Sequence, residues 1–475
     1  MRATLQRLFL RLAILVLALP DSSPAQESAP CKIYFVGTAR GADTTRMQFF
    51  TLATGSRITY VGGGVDARCE GQGNRLLADS AEHYEDRGEL ILINRVRYTD
   101  PRVAMQSQRM VYYTTDERIH ATGDVRGKMT NGTRFTGPEM FYWRAKPGLR
   151  EQARWRAPGR PFVRMAPDST AKTKSDSTDL TADIVVSEND SLMWAVGQVV
   201  IERPDLRATA DSATMNRVSE HARLMRTPRI AGLGERPFKL AGEVVDLWSK
   251  DQRLERVLSS GAAFVTSDSL QMRGDTIDMR LRDQRIQRAF TWGTRAYADG
   301  AAQQMEADSL DILLPDQRIR EVHAVGKAIA WSRVDSLKIL SDERDWIAGD
   351  TLLALFDSVP AGDTSSSARM RQVTATGDAR SFYQLAPSSG ERGVPNVNYN
   401  RGREIVVSFA EGEVELVKVK DRASGIYLEP PVVPKPKAGD KPTVPADSTT
   451  TAPVPPAGKP AAKPAAKPAA AASRP

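Results

Sequence analysis

The stretches DQRLERVLSSGAAFV (251–265), DQRIQRAFTWGTRAY (283–297) and DQRIREVHAVGKAIA (316–330) carry the strongest architectural signal in the chain. Each starts with Asp-Gln-Arg and an aliphatic residue, and each has a glycine ten positions after the Asp, at Gly261, Gly293 and Gly326. Three such segments at nearly constant spacing indicate a chain built by repetition.

The residues that precede or follow each Asp-Gln-Arg alternate between apolar and polar. This alternation is typical of strands with one buried face. The apolar members in register are Val245, Leu247, Ile277, Met279, Leu281, Leu310, Ile312 and Leu314. Asp-Gln-Arg then predicts the turn, and the glycine predicts a bulge or bend in the following strand. The sequence therefore predicts an all-β, elongated array of stacked two-strand repeats of about 30 residues, with no helix after the N-terminal segment.

Two short motifs recur elsewhere in the chain. Ala-Asp-Ser begins strands at 78–80, 210–212 and 307–309, and Ala-x-Gly followed by Val or Ala ends the alignment at 121–125, 195–199 and 324–328. In this respect residues 55–430 resemble the LptA/OstA family, the organic-solvent-tolerance N-terminal domain. The resemblance implies an open β-jellyroll, or "β-taco", and a periplasmic bridge that carries lipopolysaccharide to the outer membrane. It also implies jellyroll partners at the inner and outer membranes.

The N-terminus has the pattern of a secretory signal peptide. Arg2, Arg7 and Arg11 precede an apolar run from Leu12 to Leu19, and Ser-Pro-Ala follows at 23–25. The run is too short to span a hydrocarbon core of about 30 Å, although an uncleaved anchor is the alternative. We expect a periplasmic protein, free or associated with the inner or outer membrane. The predicted parts are a signal peptide (1–25), a jellyroll lobe (26–165), a polar linker (166–179), a second jellyroll lobe (180–430) and a disordered Pro/Ala/Lys tail (431–475).

Cys31 and Cys69 are the only cysteines. In an exported chain they can form a disulfide, and two separate buried thiols are the alternative.

Composition and motifs give no support to catalysis or to nucleic-acid binding. The net charge of +8 is concentrated in the first 25 residues and the tail, which leaves the body nearly neutral. The four histidines, His83, His120, His221 and His323, are dispersed and lack metal-ligand spacing. No serine-nucleophile elbow or phosphate-binding loop occurs in the sequence. We therefore expect no enzyme activity, no cofactor, no metal and no nucleic-acid partner.

Two sets of residues are candidates for binding an amphiphile. The eight in-register apolar residues named above would line a groove for acyl chains, or would simply pack a closed core. An arginine-rich stretch with interleaved aromatic residues would bind anionic head groups, or would be a solvated, twisted hairpin. Its candidates are Arg144, Arg150, Arg154, Arg156, Arg160 and Arg164. The predicted function is a lipid-binding bridge for lipopolysaccharide or a similar amphiphile, with head-to-tail self-association. The alternative is a structural or adaptor array of the cell envelope.

Overall fold

A computed structural model of the chain is all-β. Thirty strands belong to one sheet, and the described residues contain no α-helix, which confirms the predicted all-β class. The described residues are 31–37, 46–70, 73–167, 177–234, 236–251, 253–268, 270–300, 303–315, 318–332, 334–357, 369–387, 392–410 and 413–430. The predicted signal peptide, most of the predicted linker and the predicted tail lie outside these ranges.

The strands follow the chain as an antiparallel meander, in which each strand pairs with strands close to it in sequence. The first ten are β1 Ile33–Gly37, β2 Arg46–Thr51, β3 Arg57–Gly62, β4 Val65–Cys69, β5 Arg75–Ala78, β6 Ser80–Tyr84, β7 Glu89–Thr99, β8 Val103–Tyr113, β9 Arg118–Met129 and β10 Arg134–Trp143. The next ten are β11 Arg154–Pro158, β12 Phe162–Met165, β13 Thr178–Thr181, β14 Ile184–Glu188, β15 Leu192–Arg203, β16 Leu206–Asn216, β17 His221–Met225, β18 Arg229–Gly232, β19 Phe238–Ala241 and β20 Val244–Lys250. The last ten are β21 Arg253–Ser267, β22 Leu270–Arg282, β23 Arg285–Gly300, β24 Gln303–Leu313, β25 Glu321–Ser332, β26 Asp345–Phe356, β27 Met370–Leu385, β28 Asn396–Ala410, β29 Glu413–Lys420 and β30 Ser424–Leu428.

A line of bulges divides the sheet into two parts. The ladder of β7 with β8, for example, is interrupted between Ile93 and Val96. The same interruption recurs through the long strands, and elsewhere two short strands take the place of one long strand. We call the part that contains Glu89–Ile93 half-sheet A and the part that contains Val96–Thr99 half-sheet B. Rim A is the set of turns at the outer end of half-sheet A, such as the turn between β8 and β9. Rim B is the set of turns at the outer end of half-sheet B, such as the turn between β7 and β8.

Left-handed residues form the bulges: they are Asn94 and Arg95 in β7, and a glycine followed by one further left-handed residue in strands such as β25. Gly326 has φ +86°, and its neighbour Lys327 is also left-handed at φ 46°. A Cβ at Gly326 would collide with the carboxyl group of Asp308 on the preceding strand. At this bulge the Ala-Asp-Ser motif at 307–309 and the Ala-x-Gly motif at 324–326 lie opposite each other, because the left-handed glycine has no Cβ that would clash with the Asp side chain. The same pairing joins Gly197 to Asp183, Gly261 to Glu243, Gly293 to Asp275 and Gly377 to Asp350.

The Asp-Gln-Arg segment between β22 and β23 is a two-residue turn. Asp283 and Gln284 are both left-handed, with φ 49° and 63°, and Arg282 pairs with Arg285 across them. Two left-handed central residues define a type I′ turn, whose twist matches that of the flanking strands. The structure thus confirms the predicted turn here. Gln252, Asp316 and Gln317 of the other two copies lie outside the described residues.

One hydrophobic cluster runs through both half-sheets. In β24, Leu310 and Ile312 enter it from half-sheet A, and Met305 and Ala307 enter it from half-sheet B. The described residues include no helix that would cover these faces, so the inner faces of the two half-sheets cover each other. The sheet continues across the predicted linker, because β11 pairs with β14 and β12 pairs with β13. Both predicted lobes therefore belong to one sheet, within a compact unit that ends at Glu429.

Candidate functional site

The eight apolar candidates lie side by side on the inner face of half-sheet A. Strand pairing places them in two columns that cross the strands. The first column is Leu247, Val257, Met279, Ala289, Ile312, Val322, Ala354, Val373 and Val407. The second column is Val245, Ser259, Ile277, Thr291, Leu310, Ala324, Leu352, Ala375 and Ile405. Leu281 and Leu314 lie at the rim A end of the same face.

This inner face is closed by side chains. All eight candidates are buried, from 0% exposure at Ile277 to 8% at Leu281, with Ile312 at 1%. Ser259 and Thr291, the two hydroxyl residues of the columns, donate to the carbonyl oxygens of Ala241 and Arg273 in half-sheet B. The candidates border neither of two pockets of about 300 and 330 Å³. An acyl chain would therefore have to part the half-sheets in order to reach these columns.

The six arginine candidates do not form one site. Arg144 lies between two buried carboxylates, with Nε 3.3 Å from Asp100 Oδ2 and Nη1 2.9 Å from Glu117 Oε2. Arg150 donates to two carbonyl oxygens, those of Arg144 and Asp116, at 2.9 and 2.8 Å. Burial lowers the pKa of Arg150. Protein groups therefore already occupy the guanidinium groups of both residues.

The other four arginines lie on β11, on β12 and in the turn between them. Arg164 forms two hydrogen bonds to Asp179, both 2.7 Å, and lies over the Phe162 ring. Arg160 lies 3.4 Å from Asp183. Arg154 is exposed over the Trp143 ring, and Arg156 is half-buried. Carboxylates already neutralise Arg160 and Arg164, so an anionic head group would compete with them.

A buried polar cluster, which sequence reasoning missed, joins the rims around Arg144. Asp100 lies in the β7–β8 turn of rim B, and Glu117 lies in the β8–β9 turn of rim A. Asp100 Oδ2 accepts from the hydroxyls of Tyr98 at 2.8 Å and Tyr142 at 3.3 Å. Glu117 Oε2 accepts from the Tyr112 hydroxyl at 2.7 Å. We call this set, Tyr98, Asp100, Tyr112, Glu117, Tyr142 and Arg144, the rim cluster.

Electrostatics in the rim cluster favour the charged guanidinium and the neutral phenols. Burial and the nearby carboxylates raise the pKa of Tyr112 and of Tyr142, since a phenolate there would be desolvated beside an anion. Burial opposes the charge on Arg144, but the surrounding tyrosines and carboxylates outweigh it and raise its pKa. The cluster thus holds one permanent cation between two carboxylates. In the sequence, Asp100 and Glu117 look like ordinary turn residues, and no spacing signal connects them to Arg144.

Further polar contacts join the two rims along the sheet. Arg102 of rim B donates to Asn189 of rim A at 3.0 Å. Arg217 of rim A donates to the Thr133 hydroxyl of rim B at 2.9 Å. Two more contacts run from Asn131 to the carbonyl oxygen of Asp190 and from Arg203 to the Ser249 hydroxyl. With the rim cluster, these contacts form what we call the polar seam.

Cys31 and Cys69 are joined by a disulfide, with their Cα atoms 5.2 Å apart. The bond ties Cys31, two residues before edge strand β1, to the end of β4 in half-sheet B. Cys69 Sγ also lies 3.5 Å from the Tyr112 hydroxyl, so the disulfide adjoins the rim cluster.

The histidines have structural partners. His120 Nε2 lies 2.6 Å from Glu139 Oε1, and His221 Nε2 lies 2.8 Å from Asp246 Oδ1. His323 pairs with Glu321, and burial lowers the pKa of His83. Within the described ranges, no three His, Cys, Asp or Glu residues form a group that could hold a metal ion. No helix in those ranges has the length and apolar character needed to span a membrane.

The sheet has apolar edges. In the described residues, β2 pairs only with β3, and β30 pairs only with β28. Phe49 and Phe50 of β2 are 64% and 56% exposed, and Ile426 and Leu428 of β30 are each 58% exposed. Unpaired backbone groups beside exposed apolar side chains are suited to pairing with another strand.

Comparison with known proteins gives no family. No family model matches the chain, and no curated protein matches its sequence.

Proposed function

We propose that the protein is a non-enzymatic lipid-binding bridge of the periplasm, which shields the acyl chains of lipopolysaccharide or a similar amphiphile between its half-sheets. In this proposal the fold is an open β-jellyroll whose two jaws are the half-sheets. The observation that carries it is the pair of columns on half-sheet A, which continue from β20 to β28 with only two hydroxyl residues. The motif resemblance to the LptA/OstA family supports the same function.

Acyl chains suit such columns for a physical reason. Each buried methylene contributes about 0.8 kcal/mol, and desolvation has no preferred direction. A chain can therefore slide from one strand to the next without a large barrier. Because the columns are filled by protein side chains, lipid and the opposite half-sheet compete for the same apolar surface. Charged head groups would remain at the rims.

The two edges supply the partners in this proposal. The exposed aromatic and aliphatic residues of β2 and β30 would pair with strands of other jellyroll proteins at the inner and outer membranes, or with a second copy head to tail. The signal-peptide pattern at 1–25 supports export to the periplasm. No cofactor, metal or nucleic acid has a role in the proposal.

One observation favours the alternative, a structural or adaptor array without lipid cargo. The eight candidates are buried to the degree expected of an ordinary core. In that case the half-sheets would never part, and the protein would act as a spacer between envelope components.

A photoreactive lipid separates the two functions. A lipopolysaccharide analogue that carries a diazirine in an acyl chain is mixed with the full-length protein and irradiated. Mass spectrometry then maps the protein residues to which the lipid is attached. Ile312 is 1% exposed on the inner face, and its neighbour Leu313 is 38% exposed on the outer face, so Leu313 is the matched control. We expect attachment at Ile312 in excess of attachment at Leu313.

Equal or exclusive attachment at Leu313 would contradict lipid binding and leave the structural array. The variant Ile312→Asp gives a second measurement, with Leu313→Asp as control. If lipid replaces the opposite half-sheet at this position, Ile312→Asp stays folded and loses the lipid. A collapsed melting transition without any attachment at position 312 leaves packing as the role of Ile312. Mass spectrometry of lipid co-purified with the full chain then identifies the cargo.

A further inference from the structure

The rim cluster connects parts of the chain that belong to opposite half-sheets. Asp100 lies on rim B, whereas Glu117 and Arg144 lie at the rim A ends of their strands. The Arg144 side chain is 15% exposed, and those of Asp100 and Glu117 are 2% and 4% exposed. The contact from Arg144 to Asp100 is therefore a buried ion pair that crosses the mouth between the half-sheets.

Such a contact behaves differently from a surface ion pair. Separating the rims would break the contact between Asp100 and Arg144, whereas the donors on the Asp100 side, the Tyr98 hydroxyl and the backbone N–H groups of Arg102 and Val103, would remain. The hydroxyl of Tyr142 would leave Asp100 in the same movement, because Tyr142 also belongs to half-sheet A. Several bonds must therefore break together, which makes the closed arrangement one discrete state.

The polar seam covers only part of the interior. Its members lie between Tyr98 and Ser249, whereas the apolar columns extend to β28. Beyond β20, Gln303 Nε2 at rim B donates to Met370 Sδ at rim A at 3.4 Å. Ligand access beneath β7–β20 therefore requires the seam to part, and the rim cluster is its most buried portion.

We propose that Arg144 is a latch: it holds rim A against rim B, and its release opens the interior of the N-terminal half of the sheet. That the opened interior receives an acyl chain rests on the lipid-binding function proposed above. The latch itself concerns only the separation of the rims, so the two can be tested apart.

The test measures the distance between the rims in the full chain. Spin labels are attached at Thr99→Cys on β7 of half-sheet B and at Thr115→Cys on rim A, which are both exposed. The control pair, Asp86→Cys with Thr115→Cys, lies entirely on rim A. The native disulfide is kept oxidised, so that only the introduced thiols react.

Two variants are designed to release the latch without unfolding the protein. Arg144→Met with Asp100→Asn and Glu117→Gln removes all three charges together and leaves no buried ion unpaired. Arg144→Lys keeps the charge but loses the planar fork that reaches both carboxylates. We expect the Thr99–Thr115 distance to lengthen by about 5 Å or more, which is half of the ~10 Å spacing of two sheets packed face to face. The control distance should not change.

An unchanged Thr99–Thr115 distance in both variants would overturn the latch. Equal lengthening in the control pair would also overturn it, because the change would then be general unfolding. The diazirine lipid supplies the second arm of the test, with attachment measured at Met140, a buried residue of β10. If the rims separate and Met140 is not labelled, the latch stands and lipid binding falls. If the rims stay together while Met140 of the native chain is labelled, lipid binding stands and the latch falls.

Discussion

Replacing Gly326 by alanine tests whether the bulge, and not the hydrophobic pattern alone, holds the two half-sheets in place. Gly326 has φ +86°, a conformation that costs an alanine about 1–2 kcal/mol. The new Cβ would also lie 2.6 Å from Cγ and 2.7 Å from Cβ of Asp308, so the two strands must shift apart there. Because the Asp308 side chain is exposed and can turn away in part, we expect a total loss of about 2 kcal/mol in the free energy of unfolding.

Two other glycines supply matched controls for Gly326→Ala. Gly55 has φ +84° and no atom within 4 Å of the place that a Cβ would take, so Gly55→Ala isolates backbone strain and should cost about 1 kcal/mol. Gly62 has neither strain nor a close neighbour, and Gly62→Ala should be neutral or slightly stabilising. Urea unfolding followed by tryptophan fluorescence gives all three values.

The order of these losses decides the role of the bulge. Adding Asp308→Ala to Gly326→Ala removes the Cγ contact and should recover part of the loss. If Gly326→Ala costs no more than Gly62→Ala, the bulge does not constrain the strand. If it costs the same as Gly55→Ala, the contact with Asp308 contributes nothing.

Two further predictions concern the edge of the sheet beside the rim cluster. Removing the disulfide with Cys31→Ala and Cys69→Ala should cost about 4 kcal/mol, because the bond closes a loop with a sequence separation of 38; an unchanged urea midpoint on reduction of the native chain would contradict this. Asp66 is buried, which raises its pKa, but hydrogen bonds from Arg75 and Arg68 outweigh burial and hold the pKa below its usual range. The stability that Asp66 contributes is therefore present above about pH 4 and is lost as pH falls through the lowered pKa. Asp66→Asn should remove this loss from a profile of unfolding free energy against pH, and an unchanged profile would assign the loss to other groups.

The backbone plan of the fold was predictable because it depends on local chemistry. Left-handed Asp283 and Gln284 make the tight turn, and the glycines at Gly261, Gly293 and Gly326 make the bulges. Each of these features needs a particular residue at a particular place, so each leaves a mark in the sequence. Alternation then decides which residues face inward, and all eight apolar candidates do so.

The rim cluster was not predictable because its parts meet only after the sheet has folded. Asp100 and Arg144 come from different turns on opposite rims, and nothing between them in the chain records that they will touch. Arginine density predicts a head-group site at residues 144–164, yet Arg144 and Arg150 already donate to carboxylates and carbonyl oxygens of the protein. The sequence shows how many arginines the segment has, but not which protein groups each arginine will contact after folding.

The two-strand repeat has a physical cause in the packing of neighbouring strands. In the second column, β20, β22, β24, β26 and β28 contribute large side chains, and the strands between them contribute small ones. The large members are Val245, Ile277, Leu310, Leu352 and Ile405, and the small members are Ser259, Thr291, Ala324 and Ala375. The strands with small side chains also carry the bulge glycines at Gly261, Gly293, Gly326 and Gly377. Large and small side chains in alternation interdigitate without voids, and each of these four bulge glycines leaves room for an acidic side chain one strand earlier, on Glu243, Asp275, Asp308 and Asp350. One strand of each kind is the smallest unit that meets both requirements, so the sequence repeats every two strands.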